Sequence, residues 1–176
     1  MGFPKALLRY RDETFLDNVI RLFSARCFPV MVVLGASAER IRAGASRPAT
    51  FVLNSDYARG MTSSLQCGLR ALPAEAEGVL LTLVDHPAVS PATIDALLGG
   101  TSPVLRVPRH GGRRGHPIWF SRSLAPEFLS LGEHGAARDV VRAHAAETEF
   151  LDVDDPGILA DIDDPAAYQQ LTGAVL

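Results

Sequence analysis

The run Val79-Leu80-Leu81-Thr82-Leu83-Val84, closed by Asp85-His86-Pro87, constrains the fold more than any other stretch of the chain. Five of its six residues are apolar, and it is entered from Gly78. A short apolar run without polar alternation is the pattern of a strand buried on both faces, as in parallel sheets covered by helices. Asp85 then stands at the carboxyl end of that strand. In open α/β sheets, ligands bind in the crevice outside the strand ends. A carboxylate placed there can hold a hard cation such as Mg²⁺, which is usually shared with substrate phosphates. Asp before Pro is also a common turn residue, so this position alone leaves both readings open.

The rest of the chain alternates. Ala6 to Tyr10 reads as a short extended segment. Thr14, with Asp17 three residues on, resembles a capping box ahead of a helical stripe of Leu16, Val19, Ile20 and Phe23. Val30 to Leu34 and Phe51 to Leu53 are strand candidates, with Ser37 as the cap of a short helix between them. Gly60 to Ser64 opens a helix carrying Leu65, Leu69 and Leu72. Ser90-Pro91 and Asp164-Pro165 are cap-then-proline helix starts. Val104 to Val107, Ile118 to Phe120 and Phe150 to Val153 read as strands, and Leu124 to Leu131 and Ala136 to Ala145 as helices. Arg109 to Gly115 reads as a Gly/Arg loop. Strands alternating with helices predict a single three-layer α/β/α domain over residues 1–176 with a mostly parallel, Rossmann-like sheet.

Composition narrows the function classes. With 47% hydrophobic residues the chain is a folding sequence, and a net charge of −3 supplies no field for nucleic acid or membrane. No apolar run approaches the length of a membrane span, and no signal-peptide pattern is visible. Cys27 and Cys67 have neither metal spacing nor a disulfide framework, which fits a reduced, cytoplasmic compartment. Cys67, Trp119 and Phe120 read as packing residues. Asp152, Asp154 and Asp155 read as solvated loop charges, and His134 and His144 as surface residues.

Several segments, taken in order, resemble the MobA-like nucleotidyltransferases. They are Met1-Gly2-Phe3-Pro4-Lys5, Gly60-Met61-Thr62-Ser63-Ser64-Leu65, Val84-Asp85-His86-Pro87, Arg113-Arg114-Gly115-His116-Pro117, Gly135-Ala136-Ala137-Arg138 and Asp161-Ile162-Asp163-Asp164-Pro165. The resemblance is nearest to the molybdenum cofactor cytidylyltransferase (MocA-like) branch. The guanylyl branch usually carries Gly-Pro-Leu-Ala-Gly where this chain has Gly60-Met61-Thr62-Ser63-Ser64. Two positions depart from the family: Val84 stands where Gly is frequent, and His86 where Gln or Met is usual. Met1 to Lys5 looks like the tail of the family's glycine-rich signature. The first strand and most of the phosphate-cradling loop are therefore expected to be missing from the chain as it stands. In that case nucleotide binding weakens, and either a partner strand fills the gap, as in a homodimer, or the sheet rearranges.

The resemblance implies a GT-A-like fold and a Mg²⁺-dependent transfer of a nucleoside monophosphate, from CTP by the MocA-like motif, to a phosphorylated pterin-type acceptor. Pyrophosphate would leave, and a molybdoenzyme could receive the product. It implies Lys5 and Asp85 as the catalytic pair, with Lys5 on the triphosphate as a point charge. Gly60, Ser63 and Ser64 would read base and ribose, and Arg109, Arg113, Arg114 and His116 would hold the acceptor phosphate. The metal would sit on Asp85 with Asp163 or Asp161. These two flank Ile162 and are expected to face opposite ways if extended, so that one alone reaches the metal, Asp163 by preference. The alternatives are a non-catalytic nucleotide- or partner-binding relative, or a transferase acting on another small phosphate such as a sugar phosphate.

Overall fold

Strands and helices alternate through the computed structural model, which describes residues 3–132 and 135–174. Met1, Gly2 and His134 lie outside them. A tight antiparallel pair, β1 (Arg9–Tyr10) and β2 (Glu13–Thr14), leads into α1 (Phe15–Ser24). The Thr14 hydroxyl caps this helix, accepting from the Asp17 N–H at 3.0 Å. Next come β3 (Met31–Leu34), α2 (Ala38–Gly44), β4 (Thr50–Leu53), α3 (Met61–Arg70), β5 (Gly78–Leu81) and α4 (Pro91–Gly99). Then follow β6 (Leu105–His110), β7 (Arg113–Arg114), β8 (Ile118–Ser121), α5 (Ala125–Ser130), α6 (Ala137–Ala143), β9 (Thr148–Asp152) and α7 (Pro165–Thr172). Ser90 and Asp164 cap α4 and α7 as their Pro neighbours predict, through the Thr93 N–H at 3.3 Å and the Ala167 N–H at 2.8 Å. Ser37 differs: it is left-handed at φ +58° and makes no cap bond.

β3 and β4 pair in parallel, with Met31 opposite Thr50 and Leu34 opposite Leu53. The larger sheet runs β5-β8-β6-β9, and β7 extends the β8 edge of β6. β8 is antiparallel to both β5 and β6, and β9 is parallel to β6. So β5, β6 and β9 share one direction and β8 opposes it, which keeps the sheet mostly parallel. Side-chain alternation sets the layers. Val79 and Leu81 of β5, with Leu105 and Val107 of β6, face Leu69 of α3, Phe128 of α5 and Val140 of α6. Leu80 turns the other way, onto Leu22 and Phe23 of α1 and Ile94 of α4. Helices thus cover both faces. Fully buried Phe120, Phe128, Ile94 and Leu105 each contribute about 1.5–3 kcal/mol by leaving water.

Three expectations change. β5 is half-buried along its length rather than fully buried. It pairs on one side only, as does β3, so both strands lack lateral cover among the described residues. The Arg109–Gly115 segment is an ordered hairpin and not a loop: β6 continues to His110 and pairs with β7 around Gly111 (φ +56°) and Gly112 (φ +77°). Two successive positive φ values are what a two-residue hairpin turn of matching twist requires, and glycine supplies them without strain. Asp155 is buried, at 5% exposure, rather than solvated. Asp152 pairs with Arg109. No helix among the described residues is long and apolar enough to cross a membrane.

Candidate active site

Three separate stretches converge beyond the carboxyl end of β5. Lys5 comes from a single 3-10 turn, Lys5–Leu7. Asp85 and His86 follow β5. Asp161 and Asp163 precede α7. A backbone bond clamps two of these stretches together: the Ile162 N–H donates to the Asp85 carbonyl at 3.1 Å. Ile162 itself is buried against Phe15 and Tyr168. The residues on either side of it both turn back toward the Lys5 ammonium, because positions two apart share a face when the one between is buried. Of the two, Asp161 and not the preferred Asp163 lies with Asp85 among the converging ligand atoms, while Asp163 pairs with Lys5.

Their roles in the cluster differ. The Lys5 ammonium donates to the Asp163 carboxylate and lies 3.8 Å from Asp85 Oδ2. Asp161 instead groups with Asp85 and His86, each offering one ligand atom, all within 4.8 Å of one another. Asp85 Oδ1 is buried and has no hydrogen-bond partner among the described residues. Partial desolvation, then the charges of Asp85 and Asp163, raise the Asp161 pKa. Partial desolvation works against the Lys5 charge, but Asp163, Asp85 and Asp161 more than offset it and raise the ammonium's pKa. Its hydrogen bond to Lys5 holds Asp163 below the usual carboxylate range. A buried carboxylate oxygen without a partner, beside a second carboxylate, is a donor set suited to a divalent cation.

His86 and His116 lie against each other with ring centres 5.0 Å apart and planes tilted by 45°. Burial, then the neighbouring His116, push the His86 pKa down to about 4, so its imidazole is neutral at ordinary pH. Burial also lowers His116. His116 is fixed at the foot of the β6–β7 hairpin, where its N–H donates to the Ile158 carbonyl at 3.0 Å. Gly115 permits that approach: a Cβ there would lie 2.2 Å from the Ile158 oxygen. Sequence reasoning gave His86 no role, although a histidine directly after the strand-end aspartate was a legible cue.

The remaining candidates lie elsewhere. Arg109, Arg113 and Arg114 sit on the hairpin, not with Asp85. Arg109 makes a two-pronged ion pair with Asp152, at 3.0 and 2.8 Å, and Arg114 lies over the Phe150 ring at 4.4 Å. Gly60, Ser63 and Ser64 open α3, beyond the carboxyl end of β4. There buried Asn54, a residue sequence reasoning passed over, donates to the Ser63 and Ser64 hydroxyls at 3.0 and 3.1 Å. The Ser63 hydroxyl donates onward to the Gly60 carbonyl at 2.7 Å. A surface cleft lined by Asn54, Ser55, Asp56, Arg59 and Ser63 adjoins this turn.

Residues 1–148 match the family described as the MobA-like NTP transferase domain. The chain is 33% identical over 173 residues to nicotine blue oxidoreductase of Paenarthrobacter nicotinovorans, covering 91% of this chain and 83% of that one. It is 23% identical to the molybdenum cofactor cytidylyltransferase of Escherichia coli (strain K12), covering 94% and 85%. Among solved structures it superposes on Rv0371c of Mycobacterium tuberculosis H37Rv with a TM-score of 0.84 at 29% identity, covering 99% and 92%. A manganese complex of the same protein gives 0.77 at 29% identity, covering 98% and 94%. With the family match spanning residues 1–148, most of the chain, this chain belongs to the MobA-like NTP transferase domain family of nucleotidyltransferases.

Proposed function

We propose that this site transfers a nucleoside monophosphate from a nucleoside triphosphate to a phosphorylated acceptor, with CTP as donor and a pterin-type cofactor as acceptor. The observation that carries the reading is Asp85. One of its oxygens is buried beside Asp161 without a partner among the described residues, and the other is 3.8 Å from the Lys5 ammonium. Asp85 and Asp161 would hold a divalent cation, which when bound neutralises phosphate charge in the way general to such transfers. Rv0371c, at 29% identity, has been crystallised with manganese, which supports a divalent site of this kind and leaves Mg²⁺ and Mn²⁺ both open.

Lys5 supplies a mobile point charge. Its ammonium is held by exposed Asp163 and can exchange that partner for a triphosphate oxygen without becoming unpaired. At the other end, α3 opens at Gly60 with no side-chain cap among the described residues; the Ser63 N–H donates to the Gly60 carbonyl at 3.2 Å, and the Met61 and Thr62 N–H groups would meet a base edge or phosphate. The Gly60-Met61-Thr62-Ser63-Ser64 sequence, together with likeness to a cytidylyltransferase, supports cytosine over guanine. The exposed Arg113 and Arg114 would meet the acceptor phosphate, and Arg109 would join them by leaving Asp152. The 33% identity to nicotine blue oxidoreductase supports a second reading, in which the site serves an oxidoreductase reaction.

A pyrophosphate-release assay over CTP, GTP and ATP, with phosphorylated pterin and with Mg²⁺ or Mn²⁺, tests this directly. CTP should be preferred, and Asp85→Ala should lower turnover by about 100-fold or more while the circular dichroism spectrum stays unchanged. Wild-type turnover in Asp85→Ala would contradict the assignment of Asp85. Redox conversion of nicotine blue with no pyrophosphate release would favour the second reading.

A further inference from the structure

The carboxylates account for two of the three ligand positions that converge at the site, and the third is a nitrogen. We infer that His86 is a direct ligand of the divalent ion, making the centre a mixed imidazole–carboxylate site that takes first-row transition ions in preference to Mg²⁺. This rests on the reading above that Asp85 and Asp161 hold an ion.

The geometry points there in three ways. His86 Nε2 lies 4.0 Å from Asp85 Oδ1. That is too long for a hydrogen bond. It is within the span of two donors sharing one ion, each at about 2.1 Å from it. The His86 side chain is 93% buried, from its 7% exposure, and neither ring nitrogen makes a hydrogen bond among the described residues. An imidazole held by a structural bond would show a partner, and Nε2, the nitrogen nearest Asp85 Oδ1, has none. The third way is the backbone. The His86 N–H donates to the Leu83 carbonyl at 3.3 Å and the Asp85 carbonyl accepts from Ile162, so adjacent residues are pinned by different bonds while both side chains reach the same point. The three ligand atoms span at most 4.8 Å, so binding requires the widest pair to close by a few tenths of an ångström.

Ligand chemistry then sets the ion. Mg²⁺ demands oxygen donors and near-ideal octahedral geometry, and a buried imidazole offers it little. Imidazole nitrogen strengthens binding of the transition ions along the series from Mn²⁺ to Zn²⁺. An amide at position 86 in place of the imidazole would leave a harder oxygen donor and a site indifferent between Mn²⁺ and Mg²⁺.

The test uses the metal alone on the full chain. Titration of Mn²⁺ followed by electron paramagnetic resonance, with Mg²⁺ as competitor, should show wild type preferring Mn²⁺ by about tenfold or more, and His86→Gln by no more than about threefold. Electron spin echo modulation from a directly bound nitrogen should be present in wild type and absent in His86→Gln. Bound Mn²⁺ without nitrogen modulation in wild type overturns the inference by itself, even if His86→Gln fails to fold. If Mn²⁺ binding is also unaffected by Asp85→Asn, the carboxylate site fails as well. If Asp85→Asn abolishes binding and His86→Gln changes nothing, the carboxylate site stands and only the imidazole ligand falls.

Discussion

His144 shows at one residue how neighbouring charge is converted into stability. Its Nε2 is 2.9 Å from the Glu127 carboxylate and its Nδ1 2.7 Å from Glu147 Oε2. The Glu127 bond, then the Glu147 bond, raise its pKa above the ordinary 6.5. In the folded chain it therefore keeps its proton to higher pH than in the unfolded chain. The resulting stabilisation is complete below about pH 6.5 and is lost as pH climbs through the raised folded value. The melting temperature of wild type should fall relative to His144→Gln across that window, and parallel profiles would contradict the pairing. Lys5 obeys the same electrostatics with a different consequence. Its proton is secured by carboxylates, so what changes on binding is its partner and not its charge.

At the scale of elements, one buried carboxylate ties the stretch before α7 to the start of α4. Asp155 Oδ2 accepts from the Ser90 N–H at 2.8 Å and the Thr93 hydroxyl at 2.6 Å, and Oδ1 accepts from the Gly157 N–H at 2.9 Å. Asp155→Ala leaves these donors facing a cavity. The expected cost is about 2–4 kcal/mol. That corresponds to a fall in melting temperature of about 5–15 °C by calorimetry; no change would mean that the link is dispensable. The same residue marks the limit of reading elements from sequence. Thr14, Ser90 and Asp164 were legible as caps because each bonds within three residues. Asp155 and Thr93 are 62 residues apart, and nothing local distinguishes such an aspartate from a solvated one. The β6–β7 hairpin was missed for the opposite reason: its Gly and Arg content pointed to a loop, while paired positive-φ glycines were making a turn. In the site, Lys5 and Asp85 were legible by motif. The meeting of His86 with Asp161 depends on packing of Ile162, which no spacing rule expresses.

At the scale of the whole molecule, two of the three sheets are bound to each other through a helix. β3-β4 and the β5-β8-β6-β9 sheet share no backbone ladder among the described residues. Apolar packing joins them: Val30 and Leu80 meet on Leu22 and Phe23 of α1, and Val30, Val32 and Val84 on Leu16 and Ile20 of the same helix. One helix thus carries the register between the halves, and the cluster of Lys5, Asp85, Asp161 and Asp163 lies where the N-terminal turn, the end of β5 and the approach to α7 meet. We propose that ion and triphosphate bind at this meeting point. Anomalous diffraction from crystals soaked with Mn²⁺ and CTP measures it most directly. One manganese peak is expected within about 2.5 Å of carboxylate oxygens of both Asp85 and Asp161, with triphosphate density against the Lys5 ammonium. A manganese peak at another carboxylate cluster, or a triphosphate bound away from Lys5, would contradict it.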